Sequence, residues 1–225
     1  MTKKSTVSED AVIGYRHLDV LSACFAVVLI ASNVVSVKVC QIAGRSFDAG
    51  LIMFPLAYIL GDVLSEVYGY AAARRVIKTG FVLQMGVVFF LQIVQYLPSS
   101  PGWALQKSFE QILGPVPRIA YGSLVAYLCG ALVNSWVLIR LKEITHGRHP
   151  WLRFFLSTVA GEAVDTVLFY PIAFYGVWPQ AQLVEVMLLS YVVKVLVELP
   201  VMPISYRISV WLLQQESMLS RQRAP

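Results

Sequence analysis

The chain reads as an all-α membrane protein, a bundle of six transmembrane helices with N-terminus and C-terminus both cytoplasmic. Three observations lead there. Of its 225 residues 57% are hydrophobic and only 14% are charged, with a mean hydropathy of +0.67, the composition of a chain whose main solvent is lipid. The apolar residues gather into six stretches, each near the roughly 20 residues that an α-helix needs to cross about 30 Å of hydrocarbon. The cations gather at the ends of those stretches, where they set orientation. A net charge of +5 and a pI near 9.2 therefore read as topology signals and not as a nucleic-acid footprint.

Taken in order, residues 1–17 are polar and form a cytoplasmic tail. The apolar run after them, 18–39, is too long for a cleaved signal peptide and has no small-residue cleavage site, so it is expected to persist as the first span. The second and third spans are expected at 50–70 and 76–97, the fourth at 119–141, the fifth at 154–177 and the sixth at 183–204. Residues 98–118 form an outer loop bounded by Pro98, Pro101 and Gly102 at one end and Gly114, Pro115 and Pro117 at the other. Inside it Trp103, Leu105, Phe109, Ile112 and Leu113 are spaced as a short amphipathic helix on the membrane surface. Pro200 and Pro203 are expected to kink or break the last span before 205–225 leave as a cytoplasmic segment. Without a Ser/Gly-rich or charged linker, residues 1–225 read as one domain.

Orientation follows from Lys and Arg. With the N-terminus inside, Lys3, Lys4, Arg16, Arg74, Arg75, Lys78, Arg140, Lys142, Arg148, Arg153, Arg207, Arg221 and Arg223 lie inside, and only Arg45, Lys107 and Arg118 outside. An odd number of spans would break this pattern. Trp151 and Trp211 fall near the inner interface and Trp178 near the outer one, where indole rings prefer to sit.

The spans carry groups that lipid does not tolerate. Asp62, Glu66, Glu162, Asp165, Lys194 and Glu198 lie in apolar stretches, where an ionisable group costs several kcal/mol unless it faces a protein interior. On a rise of about 1.5 Å per residue, Asp62, Asp165 and Lys194 fall near mid-membrane on three different spans. The pairs Asp62/Glu66, Glu162/Asp165 and Lys194/Glu198 are three or four apart, so each pair shares one helical face. Asn33 and Asn134 add polar groups nearer the two ends. A neutralising pair that only fixes helix register would explain Lys194 with Glu198 or Asp165. It does not explain five carboxylates around one central lysine, which point to a hydrated or ligand-facing site.

Enzymatic chemistry finds no support. Cys24, Cys40 and Cys129 sit singly, and His17, His146 and His149 all fall at the cytoplasmic face, so neither a metal site nor a nucleophile and base pair is assembled at depth. No cofactor and no metal are expected.

Particular strings carry a resemblance. The run FPLAYILGDVLSEVYG from Phe54 to Gly69, then Ala73-Arg74-Arg75-Val76-Ile77, Ser157-Thr158, Gly161 through Thr166, Phe169 through Phe174, Ser32-Asn33 and Tyr191-Val192-Val193-Lys194-Val195 are similar to the queuosine precursor transporter family, also called the vitamin uptake transporter family. The likeness spans nearly the whole chain. It implies a multi-pass protein of the bacterial inner membrane that imports 7-deazaguanines such as preQ0, preQ1 or queuine for tRNA modification. The partners implied are a modified purine base and the lipid bilayer, with no nucleic acid bound, and the oligomeric state stays open. The family also resembles the six-helix membrane binding components of vitamin importers, so a substrate-binding component needing a separate ATPase module remains the alternative. One departure stands out: Glu162 occupies a position where the family pattern leads one to expect an amide, adding charge beside the site.

A deazaguanine offers an N1 hydrogen and a 2-amino group side by side, which a carboxylate accepts in a two-point hydrogen bond. Asp165 is the first choice for that role. Glu162 takes the same edge or the cationic aminomethyl arm of preQ1, while Asn33 and Asn134 read the remaining polar edge. Phe54, Tyr58, Phe169 and Tyr170 offer faces on which the base stacks, worth about 1 to 3 kcal/mol each in good geometry. Lys194 holds Asp165 or Asp62 ionised, Glu198 pairs with it, and Asp62 or Glu66 binds a coupling proton. The runs Gly61-Asp62 and Gly161-Glu162 hint at a 3+3 repeat, though a bundle without symmetry explains the chain equally well.

Overall fold

The computed structural model describes residues 15, 17–42, 44–146 and 150–223, with side chains described everywhere except 150, 151 and 218–223. The expected N-terminal tail lies almost entirely outside these residues, as do Arg148 and His149. Six helices run in the order α1 (Leu18–Val35), α2 (Phe54–Tyr96), α3 (Gln106–Leu113), α4 (Val116–Ile144), α5 (Pro150–Phe174) and α6 (Gln180–Arg223). Between α1 and α2 lie two short strands, β1 (Val39–Ile42) and β2 (Arg45–Asp48), and a 3-10 turn at Ala49–Met53. The fold is that of an all-α membrane protein with one small hairpin inserted. Three stretches, Leu18–Val35, Ala49–Tyr96 and Gln106–Ile144, are long and apolar enough to cross a membrane by length and composition.

The hairpin corrects the expected first span, which ends at Val35 and not at residue 39. Val39 pairs with Asp48 and Ile42 with Arg45 in antiparallel register, Gly44 at φ 76° allowing the reversal that an L side chain resists. Its backbone is also tied to the chain just after α1, where Ala49 N–H donates to Lys38 O at 2.9 Å.

The expected second and third spans are not separated by a loop. A single non-helical residue, Gly69 at φ 78° and ψ 168°, divides α2, and Arg74, Arg75 and Lys78 lie in the helical turns after it. A glycine in this region redirects the chain within one residue, so no polar linker is needed. Of the kink or break expected at the two prolines of the sixth span, the break does not occur. The α6 helix continues through Pro200 and Pro203 to Arg223, because losing two proline N–H donors does not stop a helix whose neighbours supply the packing.

Two apolar clusters hold the helices. Phe25 of α1 packs with Leu64, Tyr68, Ala73 and Val76 on both sides of the Gly69 break, and Ile119 of α4 packs with Tyr170, Ala173 and Phe174 of α5 and Leu183 and Val186 of α6. Trp178 joins the second cluster, its ring stacked on Phe174 at 3.8 Å. Phe89, Phe90, Leu132 and Leu196 are exposed, an outer surface that suits lipid. The predicted helix of the outer loop forms as α3, with Trp103 edge-on to Phe109 at 6.0 Å.

Glycines let α4 and α5 approach closely. A Cβ on Gly161 would lie 2.8 Å from Asn134 Cβ and 3.0 Å from Gly130 O, and one on Gly130 would lie 3.1 Å from Asp165 Cβ. Small residues at such a crossing replace the hydrophobic drive that lipid removes. The same crossing places Asp165 and Asn134 beside one cavity.

Candidate functional site

Inside the bundle lies a cavity of about 450 Å³, lined from α1, the 3-10 turn, α2, α4, α5 and α6. Its centre is Lys194. The α6 helix turns this side chain inward, 8% exposed, and its Nζ lies 2.5 Å from Asp165 Oδ2 and 3.3 Å from Glu162 Oε2, both on α5. Spaced three apart, the two carboxylates present themselves from one helical face, as the sequence anticipated. Lys194 pairs with both α5 carboxylates, and with neither Asp62 nor Glu198, the partner four residues along its own helix that the sequence also suggested.

Aromatic groups close in on the lysine. Phe54, at the start of α2, has its ring centroid 4.8 Å from Lys194 Nζ, with Tyr58 one turn on at 4.2 Å from Phe54. The ring face favours a cation, so Phe54 is engaged with the ammonium group in this structure. Tyr170 differs from its expected role. It is only 1% exposed, its ring packed among Phe169 and Phe174, and its hydroxyl is what reaches the polar region. A ring enclosed on its flanks has no face left for a base; Phe169, which also lines the cavity, keeps the stacking role available.

The Tyr170 hydroxyl leads to a residue that sequence reasoning passed over. Asp48, 3% exposed at the end of β2, accepts a hydrogen bond from Tyr170 and another from Ser36 Oγ at 3.1 Å. A phenol has one proton, so the 2.6 Å contact between Tyr170 and Ser190 is best satisfied by Ser190 donating. One carboxylate thus ties the hairpin to α1 and α5, and through Tyr170 to α6. Gly50 makes room for it, since a side chain there would collide with Ser36, Ser32 and Asp48. In the sequence Asp48 sits beside Arg45 in what reads as a loop, where an acid carries no signal.

The remaining expected residues divide. Asp62, Glu198, Asn33 and Asn134 line the cavity. Asn33 is spent on its own helix, Nδ2 donating to Leu29 O at 3.1 Å, whereas Asn134 Oδ1 and Glu198 Oε2 are buried without a hydrogen-bond partner among the described residues. Glu66 is exposed and does not line the cavity, one turn being enough to carry it past the opening. No residue of α3 reaches the lining either.

At the opposite end from the hairpin, Glu216 Oε1 accepts from His17 N–H and from the Tyr68 hydroxyl, both at 3.1 Å. The end of α6 is thereby fastened to the start of α1 and to α2 just before Gly69. Arg118 does similar work at α5, donating to Ile172 O at 2.5 Å and Tyr175 O at 2.7 Å. Carbonyls at a helix C-terminus lack intrahelical donors, and a guanidinium supplies them.

Apolar outer faces around a partly open cavity with charged walls define a membrane protein with a polar site inside its bundle. A family model described as "Putative vitamin uptake transporter" matches residues 48–208, and the chain belongs to that family. A relative from Bacillus subtilis (strain 168), named "Probable queuosine precursor transporter", is 29% identical over 178 residues, 79% of this chain and 78% of its own length. The "Queuosine precursor transporter" of Escherichia coli (strain K12) is 27% identical over 188 residues, 82% of each chain. A Haemophilus influenzae relative with the same name as the first is 28% identical over 126 residues, 56% of this chain and 51% of its own. No solved structure gives a significant match.

Proposed function

We propose that this protein imports queuosine precursors, 7-deazaguanines such as preQ0, preQ1 or queuine, across a bacterial inner membrane. In this reading six spans cross the bilayer: α1, the two halves of α2, α4, α5 and α6, with both termini cytoplasmic. The observation that carries it is a carboxylate pair, buried Glu162 and half-buried Asp165, gathered on Lys194 at the wall of a cavity large enough to admit a base, in a family whose curated relatives are named for these precursors. Asp165 accepts N1–H and the 2-amino group, and its ion pair with Lys194 keeps it aimed. Engagement of Oδ2 does not block this, because a carboxylate oxygen accepts more than one hydrogen bond. Phe169 and Tyr58 supply stacking faces, and Asn134 an acceptor for the far edge.

In a strain unable to make the base, expression of the chain is expected to restore queuosine in tRNA at low external preQ1 or preQ0. Asp165→Asn keeps the shape and removes the charge, and is expected to lower uptake by about tenfold or more. Equal restoration by the variant overturns the assignment. Reconstitution of the purified protein alone separates a self-sufficient importer, which accumulates base in vesicles, from a binding component, which binds and does not transport.

A further inference from the structure

The cavity's polar groups are unevenly satisfied. Five carboxylates line it, from Asp48, Asp62, Glu162, Asp165 and Glu198, against one cation, Lys194. Lys194 answers Glu162 and Asp165, and two hydroxyls answer Asp48. Asp62, an exposed residue of the lining, and buried Glu198 have no cation within ion-pair distance among the described residues, and they lie close enough to repel each other. Glu198 is 8% exposed, with the Thr158 hydroxyl beside its carboxylate, and its Oε2 has no hydrogen-bond partner among the described residues. A second, uncharged residue tells the same story: Asn134 Oδ1 is also buried and unpartnered on this cavity. The lining atoms left unsatisfied are therefore acceptors, and what satisfies buried acceptors is a donor, best of all a positively charged one.

We propose that Asp62 and Glu198 form a second subsite that receives a protonated amine carried by the cargo, so that the chain selects planar bases bearing an ammonium arm over neutral ones. This rests on the importer reading and refines it. On sequence alone Glu162 takes either the base edge or this arm; its Oε2 has no hydrogen-bond partner among the described residues but already lies 3.3 Å from the Lys194 ammonium, whereas Asp62 and Glu198 have no cation beside them. The subsite lies one helical turn along α6 from Lys194, so a base held at Asp165 can extend an aminomethyl group toward Glu198. Two carboxylates around one ammonium relieve the repulsion between them, whereas a nitrile at the same place offers neither charge nor donor.

The test is equilibrium binding of preQ1 and preQ0 to the full chain in lipid nanodiscs, for the wild type, Asp62→Asn and Glu198→Gln. The wild type is expected to bind the amine about tenfold or more tightly than the nitrile, and each variant to shrink that ratio severalfold. Equal binding of both bases by the wild type, or a ratio that neither variant moves, overturns the subsite while leaving the importer reading intact. Binding of neither base overturns both. A sodium titration supplies the remaining arm: competition of sodium with preQ1 alone supports the subsite, and equal sodium enhancement of both bases assigns the acids to a free cation and overturns it.

Discussion

Lys194 makes a residue-scale prediction that separates structure from transport. Removing one partner of a buried ion pair leaves an uncompensated charge, at a cost of about 3 to 5 kcal/mol, and Lys194→Ala strands two carboxylates at once. Uptake is expected to vanish and thermal stability in detergent to drop. Adding Glu162→Gln removes one stranded charge and is expected to recover part of the melting temperature without recovering uptake; full recovery of uptake would show that Lys194 serves only packing. Asp48 predicts otherwise. Asp48→Ala takes the carboxylate acceptor from the buried Tyr170 hydroxyl, which keeps only its contact with Ser190, while Ser36 retains Ser32 O at 2.8 Å; the loss is worth about 1 to 3 kcal/mol, and a thermal melt unchanged from wild type would contradict the latch. The two residues also show what a sequence can disclose. Asp62, Glu162, Asp165, Lys194 and Glu198 were legible because a charge within an apolar run has few explanations. Asp48 was not, because its meaning comes from the hairpin that folds it back onto α1 and α5.

At the scale of elements, helices were readable by apolar length and their ends less so. Gly69 illustrates why: it ends one helical segment and begins another without polar punctuation, so hydropathy alone places a loop where none exists. The crossing of α4 and α5 was equally silent, since Gly130 and Gly161 become informative only once their helices are seen to touch. It yields a sharp expectation. Gly161→Val places branched carbon against Asn134 and the Gly130 carbonyl, where even a Cβ stands at 2.8 and 3.0 Å, and backbone cannot give way as a flexible side chain does. Overpacking of this kind costs about 1 to 3 kcal/mol and pushes α5 outward, carrying Asp165 from Lys194. The variant is expected to fold with a lowered melting temperature and to lose base binding. A Gly161→Val protein that binds base normally would mean that the close approach does not position the site.

For the molecule as a whole, the two fastenings lie at opposite ends of the cavity, Asp48 at the hairpin and Glu216 at the start of α1. The proposed six spans with cytoplasmic termini would put the hairpin and the loop before α4 on the outer side, and the connection between α4 and α5 on the inner side. This frame comes from the cation count, and it is checked by labelling. With Cys24, Cys40 and Cys129 replaced by serine, Ser99→Cys is expected to react with a membrane-impermeant maleimide in intact spheroplasts. Glu143→Cys, at the exposed end of α4, is expected to react only after permeabilisation. The two positions flank a single span, so their opposite behaviour is a consequence of α4 crossing the bilayer, and its direction reports which side the N-terminus occupies. Labelling of both from outside would mean that α4 does not span, and reversed accessibility would turn the Lys/Arg bias the wrong way round. In the latter case the hairpin and its Asp48 latch would no longer stand at the entry side, and the route by which a base reaches Lys194 would have to run from the other end.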